Sequence, residues 1–236
     1  GSSVEGCSLG NNHTYDYSES GLQDTINVLN DADIIYGLNE HTATYTTDSG
    51  IVIGIVSANL LAADEKHANY IRDGIKLLRD EGADLVIASC HWGIEGDHYP
   101  NSYQQEMAHQ VIDWGADVLI GSHPHVLQGV ELYNGKVICY SLGNFCFGGN
   151  RNPKVKDTAI YQQTFTFSDG VLQKDISADI IPCTISSTTA RNDFQPTVAE
   201  GERKQAILDD MNDYSKPYSQ AEFDSSGKLM VLEEEE

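Results

Sequence analysis

Two apolar runs, each ending in a histidine-bearing turn, constrain this chain most. Asp84 to Ser89 leads into Cys90-His91-Trp92-Gly93, and Asp117-Val118-Leu119-Ile120 leads into Gly121-Ser122-His123-Pro124-His125. A stretch with helical periodicity precedes each run. Residues 64–81 place Ala68, Ile71, Ile75 and Leu78 on one side, with Gly82 positioned to stop the helix. Residues 102–114 carry Met107, Val111 and Trp114 ahead of Gly115. Alternation of this kind predicts strands joined by crossover helices. In such folds ligands collect beyond the carboxyl ends of strands, where both histidine turns fall.

The flanking sequence extends the pattern. Residues 6–9 read as the end of a strand, and Ile51 to Val56 as a buried strand. Ser20-Gly21-Leu22-Gln23 has the form of a capping box, followed by Leu22, Ile26 and Leu29 on one helical face. Strands then dominate: Lys136 to Ser141, Ala159 to Phe167 and Val171 to Ile181. The expected fold class is an α/β sandwich with mixed sheets. A further amphipathic helix is expected around Ala206 to Met211, broken at Lys216-Pro217, before the chain ends in four glutamates. We therefore expect one domain over residues 1–198 and a helical, acidic, solvated tail over 199–236.

A chain of 236 residues with 40% hydrophobic content can bury one good core. No apolar run approaches the roughly 20 residues that span a bilayer, so direct membrane insertion by this chain is not expected. The net charge is −22, with no Lys or Arg before Lys66. That surface repels nucleic acid and anionic membranes. An anionic substrate would need a local reversal of sign, which bound divalent cations supply. The five cysteines, Cys7, Cys90, Cys139, Cys146 and Cys183, form no C-x-x-C pair and read as core thiols.

The candidate residues lie on strand-end loops. His123 and His125 can serve one metal or two, and His91 ends a second strand. In Gly10-Asn11-Asn12-His13, the Asn12 amide oxygen is a neutral hard ligand, and the His13 imidazole can protonate a leaving oxygen. Asn11 and Asp16 can orient that pair. Glu95 is a further ligand, a substrate contact or a surface carboxylate. Arg151, Lys154 and Lys156 form the densest basic cluster, either to recruit an anionic substrate or as a solvated loop. They follow Ser141-Leu142-Gly143-Asn144-Phe145, whose Asn144 can support the site or touch substrate. Mixed His and Asn ligands are compatible with zinc, manganese or iron. His41, His67, His98 and His109 lack this context and read as non-catalytic.

Asn11-Asn12-His13 with Asp16, Cys90-His91-Trp92-Gly93, Gly121-Ser122-His123-Pro124-His125 and Ser141-Leu142-Gly143-Asn144-Phe145 resemble the bacterial poly-γ-glutamate capsule-synthesis (CapA-type) proteins, over about Ser8 to Pro196. That family is similar to the calcineurin-like metallophosphoesterases. The resemblance implies a four-layer α/β/β/α sandwich and a centre for one or two divalent ions. It implies Asn12, His91, His123 and His125 as ligands and His13 as general acid. The family's Gly-Asp and Asn-Leu-Glu motifs find no counterpart before Asn11, so the sandwich is expected to lack its first strands. The function implied is metal-dependent hydrolysis in capsule synthesis, on an anionic polymer or a phosphoester. The alternatives are a non-catalytic part of a polyglutamate synthesis or export assembly, partnered by membrane synthase or export proteins, and hydrolysis or transfer at γ-glutamyl amide bonds. An extracytoplasmic location is likewise implied by the resemblance.

Overall fold

The computed structural model describes residues 4–232. The chain divides into two compact units. The first takes in the chain through Trp92, then Tyr103–Ile120 and Asp169–Leu172; the second takes in Gly93–Ser102, Gly121–Ser168 and the chain from Gln173. The single domain expected over residues 1–198 is thus two units whose segments alternate along the chain.

The first unit opens with β1 (Gly6–Ser8), α1 (Ser18–Asp31) and β2 (Ile35–Gly37). β1 and β2 pair in parallel, from Gly6 opposite Ile35 to Ser8 opposite Gly37. The expected capping box does not start α1. The helix begins two residues before Ser20, its cap position is Tyr17, and no side chain caps it. Gln23 instead donates to Asn27 one turn on, 3.0 Å away, so its side chain runs along the helix rather than back to its start. Leu22, Ile26 and Leu29 do share a face, but they are only half-buried, and α1 buries no residue fully.

The strands that matter most follow. β3 (Ala43–Thr46) runs antiparallel to β4 (Val52–Asn59). β4 runs parallel to β5 (Leu85–His91), in register from Ile53 opposite Leu85 to Asn59 opposite His91. The crossover is α2 (Glu65–Asp80), which starts at Asp64, whose carboxylate accepts from the His67 amide at 2.9 Å. Ile71, Ile75 and Leu78 are wholly buried against the sheet, where Val56, Val86 and Ala88 face them with no exposure. Gly82, with φ of 90°, follows the helix end in the left-handed conformation expected of it. α3 (Ser102–Asp113) then leads to β6 (Val118–Ser122), giving the order β3-β4-β5-β6. One antiparallel edge on parallel strands makes this a mixed sheet in an α/β fold, the expected class. Arg79 closes the packing: it donates to the Gly115 and Ala83 carbonyls and to the nearly buried carboxylate of Asp117 at 2.5 Å, while Asp117 also accepts from the Val86 amide at 2.8 Å.

The second unit contains the hairpin β7 (Val130–Tyr133) and β8 (Lys136–Cys139), turning at Asn134-Gly135, both with positive φ as a two-residue hairpin turn requires. β9 (Asp157–Thr164) is followed by the two-residue strand β10 (Phe167–Ser168), and then by β11 (Val171–Leu172), which belongs to the first unit. β12 (Ser177–Thr184) lies between β9 and β13 (Thr197–Val198), antiparallel to both. The single strand expected over Val171 to Ile181 is thus broken, because polar Gln173-Lys174-Asp175 offers no apolar face between β11 and β12.

The segment from residue 199 is packed, not solvated. α4 (Gly201–Ser215) buries Ile207, Leu208 and Met211 against β7, β12 and the hairpin strand β14 (Ala221–Phe223), which pairs with β15 (Leu229–Val231). Helical spacing of these apolar residues supplies the buried face that a tail would not need. The four terminal glutamates lie outside the described residues. Among the described residues, no helix is long and apolar enough to cross a membrane.

Candidate metal centre

In the first unit the loop after β1 is held against β4. The Ser8 and Ser57 hydroxyls lie 2.6 Å apart, and the Gly10 amide donates to Ser57 Oγ at 3.1 Å. A Cβ at Gly10 would sit 2.4 Å from Ser57 Oγ and 2.7 Å from the Ala58 nitrogen, so only glycine lets the loop lie there. Asn11 turns its side chain inward, its Oδ1 accepting from the His13 amide at 2.8 Å. This leaves Asn12 and His13 to project. Asn12 Oδ1 lies 2.8 Å from Nε2 of His91, at the end of β5. His13 Nδ1 lies 2.8 Å from Asp16 Oδ2. A carboxylate only accepts, so Nδ1 carries the hydrogen there and Nε2 faces outward.

The second unit holds Glu95, His123, His125 and Asn144. His123 follows β6 directly, and both histidines have positive φ, 98° and 60°, uncommon for residues with a side chain. Such backbone persists where the surroundings fix it. Here the Gly96 amide donates to the Pro124 carbonyl at 2.8 Å, tying the Glu95 loop to the turn. Asn144 holds His125 from the other side: its Oδ1 accepts from His125 Nδ1 at 2.7 Å and its Nδ2 donates to the His125 carbonyl at 3.2 Å. With the hydrogen on Nδ1, Nε2 keeps its lone pair, the form a metal ligand takes. The Phe147 ring lies 5.3 Å from the His125 ring, and the two histidine rings are 5.8 Å apart.

The donor sets suit a divalent ion. One carboxylate oxygen of Glu95 and one ring nitrogen each of His123 and His125 lie within 4.8 Å of one another. Some point is therefore no more than about 2.8 Å from all three, and a zinc–nitrogen or zinc–oxygen bond of ~2.0–2.2 Å sits within that bound. Glu95 is exposed and both histidines half-buried, so ligand positions remain open to solvent. In the first unit, the 2.8 Å between Asn12 Oδ1 and His91 Nε2 also fits two atoms sharing one ion.

The basic loop is arranged differently from its sequence order. Lys154 and Lys156 line a cleft of about 420 Å³ with Asn152, Thr189 and Arg203, while Arg151 is not among the lining residues. Lys156 Nζ donates to the Thr189 carbonyl at 2.5 Å, and Arg203 pairs with Asp157. Burial pushes the Asp157 carboxyl up, against the pull of Arg203. Arg203 had no sequence signal: it comes from α4, 46 residues from the aspartate it pairs with.

The remaining histidines have structural partners. His67 Nδ1 lies 2.6 Å from the Asp64 carboxylate, His41 stacks on Tyr36, and His98 lies 2.9 Å from the Leu127 carbonyl and stacks on Tyr214. Cys90, Cys139 and Cys183 are buried, Cys7 is half-buried and Cys146 is exposed, so Cys146 is the exception to the expected core thiols.

Fold and side-chain clusters together define a mixed α/β protein with imidazole, amide and carboxylate groups on its strand-end turns. The chain belongs to the family of bacterial capsule synthesis proteins called PGA_cap, whose family model matches residues 2–149. It is 33% identical over 175 residues to the capsule biosynthesis protein CapA of Bacillus anthracis, covering 65% of this chain and 42% of that protein. It is 34% identical over 170 residues to the PGA biosynthesis protein CapA of Bacillus subtilis (strain 168), covering 64% and 44%. A probable polyglutamine synthesis accessory protein of Mycobacterium tuberculosis is 25% identical over 213 residues, 76% of this chain and 55% of that one. The chain thus spans less than half the length of the two Bacillus relatives. Among solved structures, a hypothetical protein from Thermus thermophilus superposes with a TM-score of 0.49 and 17% identity, over 76% of this chain and 77% of that one.

Proposed function

We propose that this capsule-synthesis family member is a divalent-metal-dependent hydrolase of the phosphoesterase type, working at the cell envelope on an anionic polymer or phosphoester. The carrying observation is the His123–His125 turn, with Asn144 setting the His125 tautomer that leaves Nε2 to bind metal. Manganese, zinc or iron suits the ligands. An ion held there supplies Lewis-acid activation of water and of the scissile bond.

The chain's own groups supply the rest. In the first unit Asn12 and His91 offer a second pair of ligand atoms. His13, oriented through Nδ1 by Asp16, presents Nε2 as the proton donor to a leaving oxygen. In the second unit Lys154 and Lys156 line a cleft with the paired Arg203 and Asp157, a local excess of positive charge on an otherwise acidic surface that draws the anionic substrate. Charge reversal at Lys154 and Lys156 should raise KM for an acidic substrate; an unchanged KM removes the cleft from the reading.

The test compares a phosphodiester with a γ-glutamyl amide, using metal-loaded protein. Phosphodiester turnover that His123→Ala abolishes is expected. Turnover of the amide alone transfers the reading to γ-glutamyl hydrolysis or transfer, and turnover of neither overturns it. The Mycobacterium tuberculosis relative, a probable polyglutamine synthesis accessory protein, favours a second reading, a non-catalytic part of a polyglutamate synthesis or export assembly. Capture of a membrane synthase that survives His91→Ala and His123→Ala would support that reading.

A further inference from the structure

We infer that the outer edge of β3 is a docking strand for an extended, basic segment of another protein, which pairs with its backbone and sends alternate side chains into a cavity on each face of the sheet. The surface lies wholly in the first unit and takes no part in the metal reading above.

The backbone offers the pairing groups. β3 ends the order of its sheet, so β4 covers only one of its two edges. Thr44 lies opposite Gly54, and Thr46 opposite Val52. The Val52 amide and carbonyl are engaged on the far side of β4, with the Asp84 carboxylate and the Asp84 amide, each at 2.8 Å. One position on from Thr46, the Thr47 amide donates to the Ile51 carbonyl at 2.9 Å. Hydrogen-bonded and open pairs alternate along an antiparallel ladder. Thr44 and Thr46 are therefore the open positions, and their amides and carbonyls turn outward. Both residues are exposed. From Thr42 to Thr47 the edge carries no charge and no proline, two of the devices that keep another strand away.

Each face of this edge has a cavity beside it. Thr42 and Thr44 face α2: a Cβ at Gly54, opposite Thr44, would lie 2.9 Å from the Leu78 side chain, and one at Gly74 would lie 3.0 Å from Thr42. On that face a cavity of about 310 Å³ is lined by Glu40, Lys66, Tyr70, Asp73 and the exposed Leu77. Ala43 lies opposite Ile55, whose side chain leaves no room for a Cβ at Gly6 of β1. On this second face a cavity of about 300 Å³ is lined by Asp33, Ile34, Ile35, Tyr36 and His41. Successive side chains of a strand point to opposite faces, so each cavity receives every second side chain of an added strand.

Charge selects the occupant. Asp73 is already paired with Arg72. Asp33, Glu40 and Asp48 pair with no Lys, Arg or His among the described residues. Lys66 is the one Lys or Arg lining either cavity, and its ammonium lies over the Tyr70 ring, 5.7 Å from the centroid. Carboxylates thus exceed cations along the edge. A basic side chain lays its stem on Leu77, or on Ile34 and Ile35, and brings its head to a carboxylate. A second copy paired antiparallel would instead set its Asp48 against Glu40, on a chain of net charge −22.

The probe is a fluorescein-labelled peptide, Thr-Val-Lys-Arg-Val-Thr, whose neighbouring basic residues point to opposite faces of a strand. Fluorescence anisotropy should show saturable binding that weakens as NaCl rises. The same peptide with Glu-Glu at its centre should bind more weakly. Thr44→Pro removes an outward amide hydrogen and no bond to β4, and circular dichroism checks its fold. It should weaken the basic peptide by about 10-fold. Asp33→Asn with Glu40→Gln, which leaves the backbone alone, should weaken it by about 3–10-fold. Amide hydrogen exchange at Thr44 and Thr46 should slow when the peptide is bound. No binding, equal affinity for the basic and acidic peptides, full affinity in folded Thr44→Pro, or unchanged exchange at Thr44 and Thr46 overturns the inference. A chain that dimerises in sedimentation, and ceases to as Thr44→Pro, overturns it in favour of a second copy.

Discussion

Asp193 shows what single side chains do in the loops of the second unit. Its carboxylate accepts from the Ser187 hydroxyl at 2.5 Å, from the Ser186 hydroxyl at 2.9 Å, and from the Ser187 and Gln195 amides. Led by the Ser187 hydroxyl, these bonds hold its pKa down to about 2. In the unfolded chain a free aspartate titrates near pKa ~3.9. A folded value below the unfolded one stabilises the protein above the unfolded pKa, and that stabilisation is lost as pH falls toward about 2. Asp193→Asn should therefore lower the Tm at neutral pH and flatten its decline between about pH 4 and 2. Parallel curves of Tm against pH for the two proteins would refute the linkage. At the same scale, His123-Pro124-His125 was legible in sequence because spacing alone joins the two histidines. The Asn144 bond to His125 was not, since nothing in residue spacing reports which amide faces which ring.

At the scale of elements, legibility followed burial. α2, β4 and β5 stand out in sequence because each carries an unbroken apolar face, and the structure finds them within a few residues of the expected bounds. β3 was missed because Ala43-Thr44-Tyr45-Thr46 is an edge strand with three exposed residues and little apolar patterning. The α1 start was misread because a Ser–Gln spacing permits a cap without requiring one. The packed character of α4 was missed because its partners β7 and β12 are distant in sequence. Contacts of that kind also carry the energetics of α2. Arg79 joins its last turn to the Gly115 carbonyl and the Asp117 carboxylate. Arg79→Ala should cost about 1–3 kcal/mol, the range for depriving a buried polar group of a partner. Urea denaturation checks this, and a change under ~0.5 kcal/mol, the usual size for a surface substitution, would show that the arginine contributes little.

For the molecule as a whole, the charge of −22 governs behaviour in salt. Self-repulsion destabilises a compact acidic chain, and screening relieves it. At 0.1 M salt the screening length is about 10 Å, shorter than a chain of this size is wide. The Tm should therefore rise as NaCl increases from a few millimolar to about 0.1 M, and a flat response would place the charges too far apart to matter. Removing residues 199–232 should expose the apolar surfaces that Ile207, Leu208 and Met211 cover. The truncated chain should lose cooperative unfolding and self-associate, as sedimentation would show. A monomer melting like the parent would make α4 dispensable.

The alternating segments of the two units have a consequence for how the protein comes into being. Asp169–Leu172 belongs to the first unit, and Gly93–Ser102, far earlier in the chain, belongs to the second. No single cut yields two pieces with whole cores. On the ribosome the first unit stays incomplete until residue 172 has emerged, long after both histidine turns have been made. His91 and Glu95, four positions apart, are then committed to different units. A nick after Trp92, in the loop joining them, would divide the first unit between two fragments and leave every segment of the second on one.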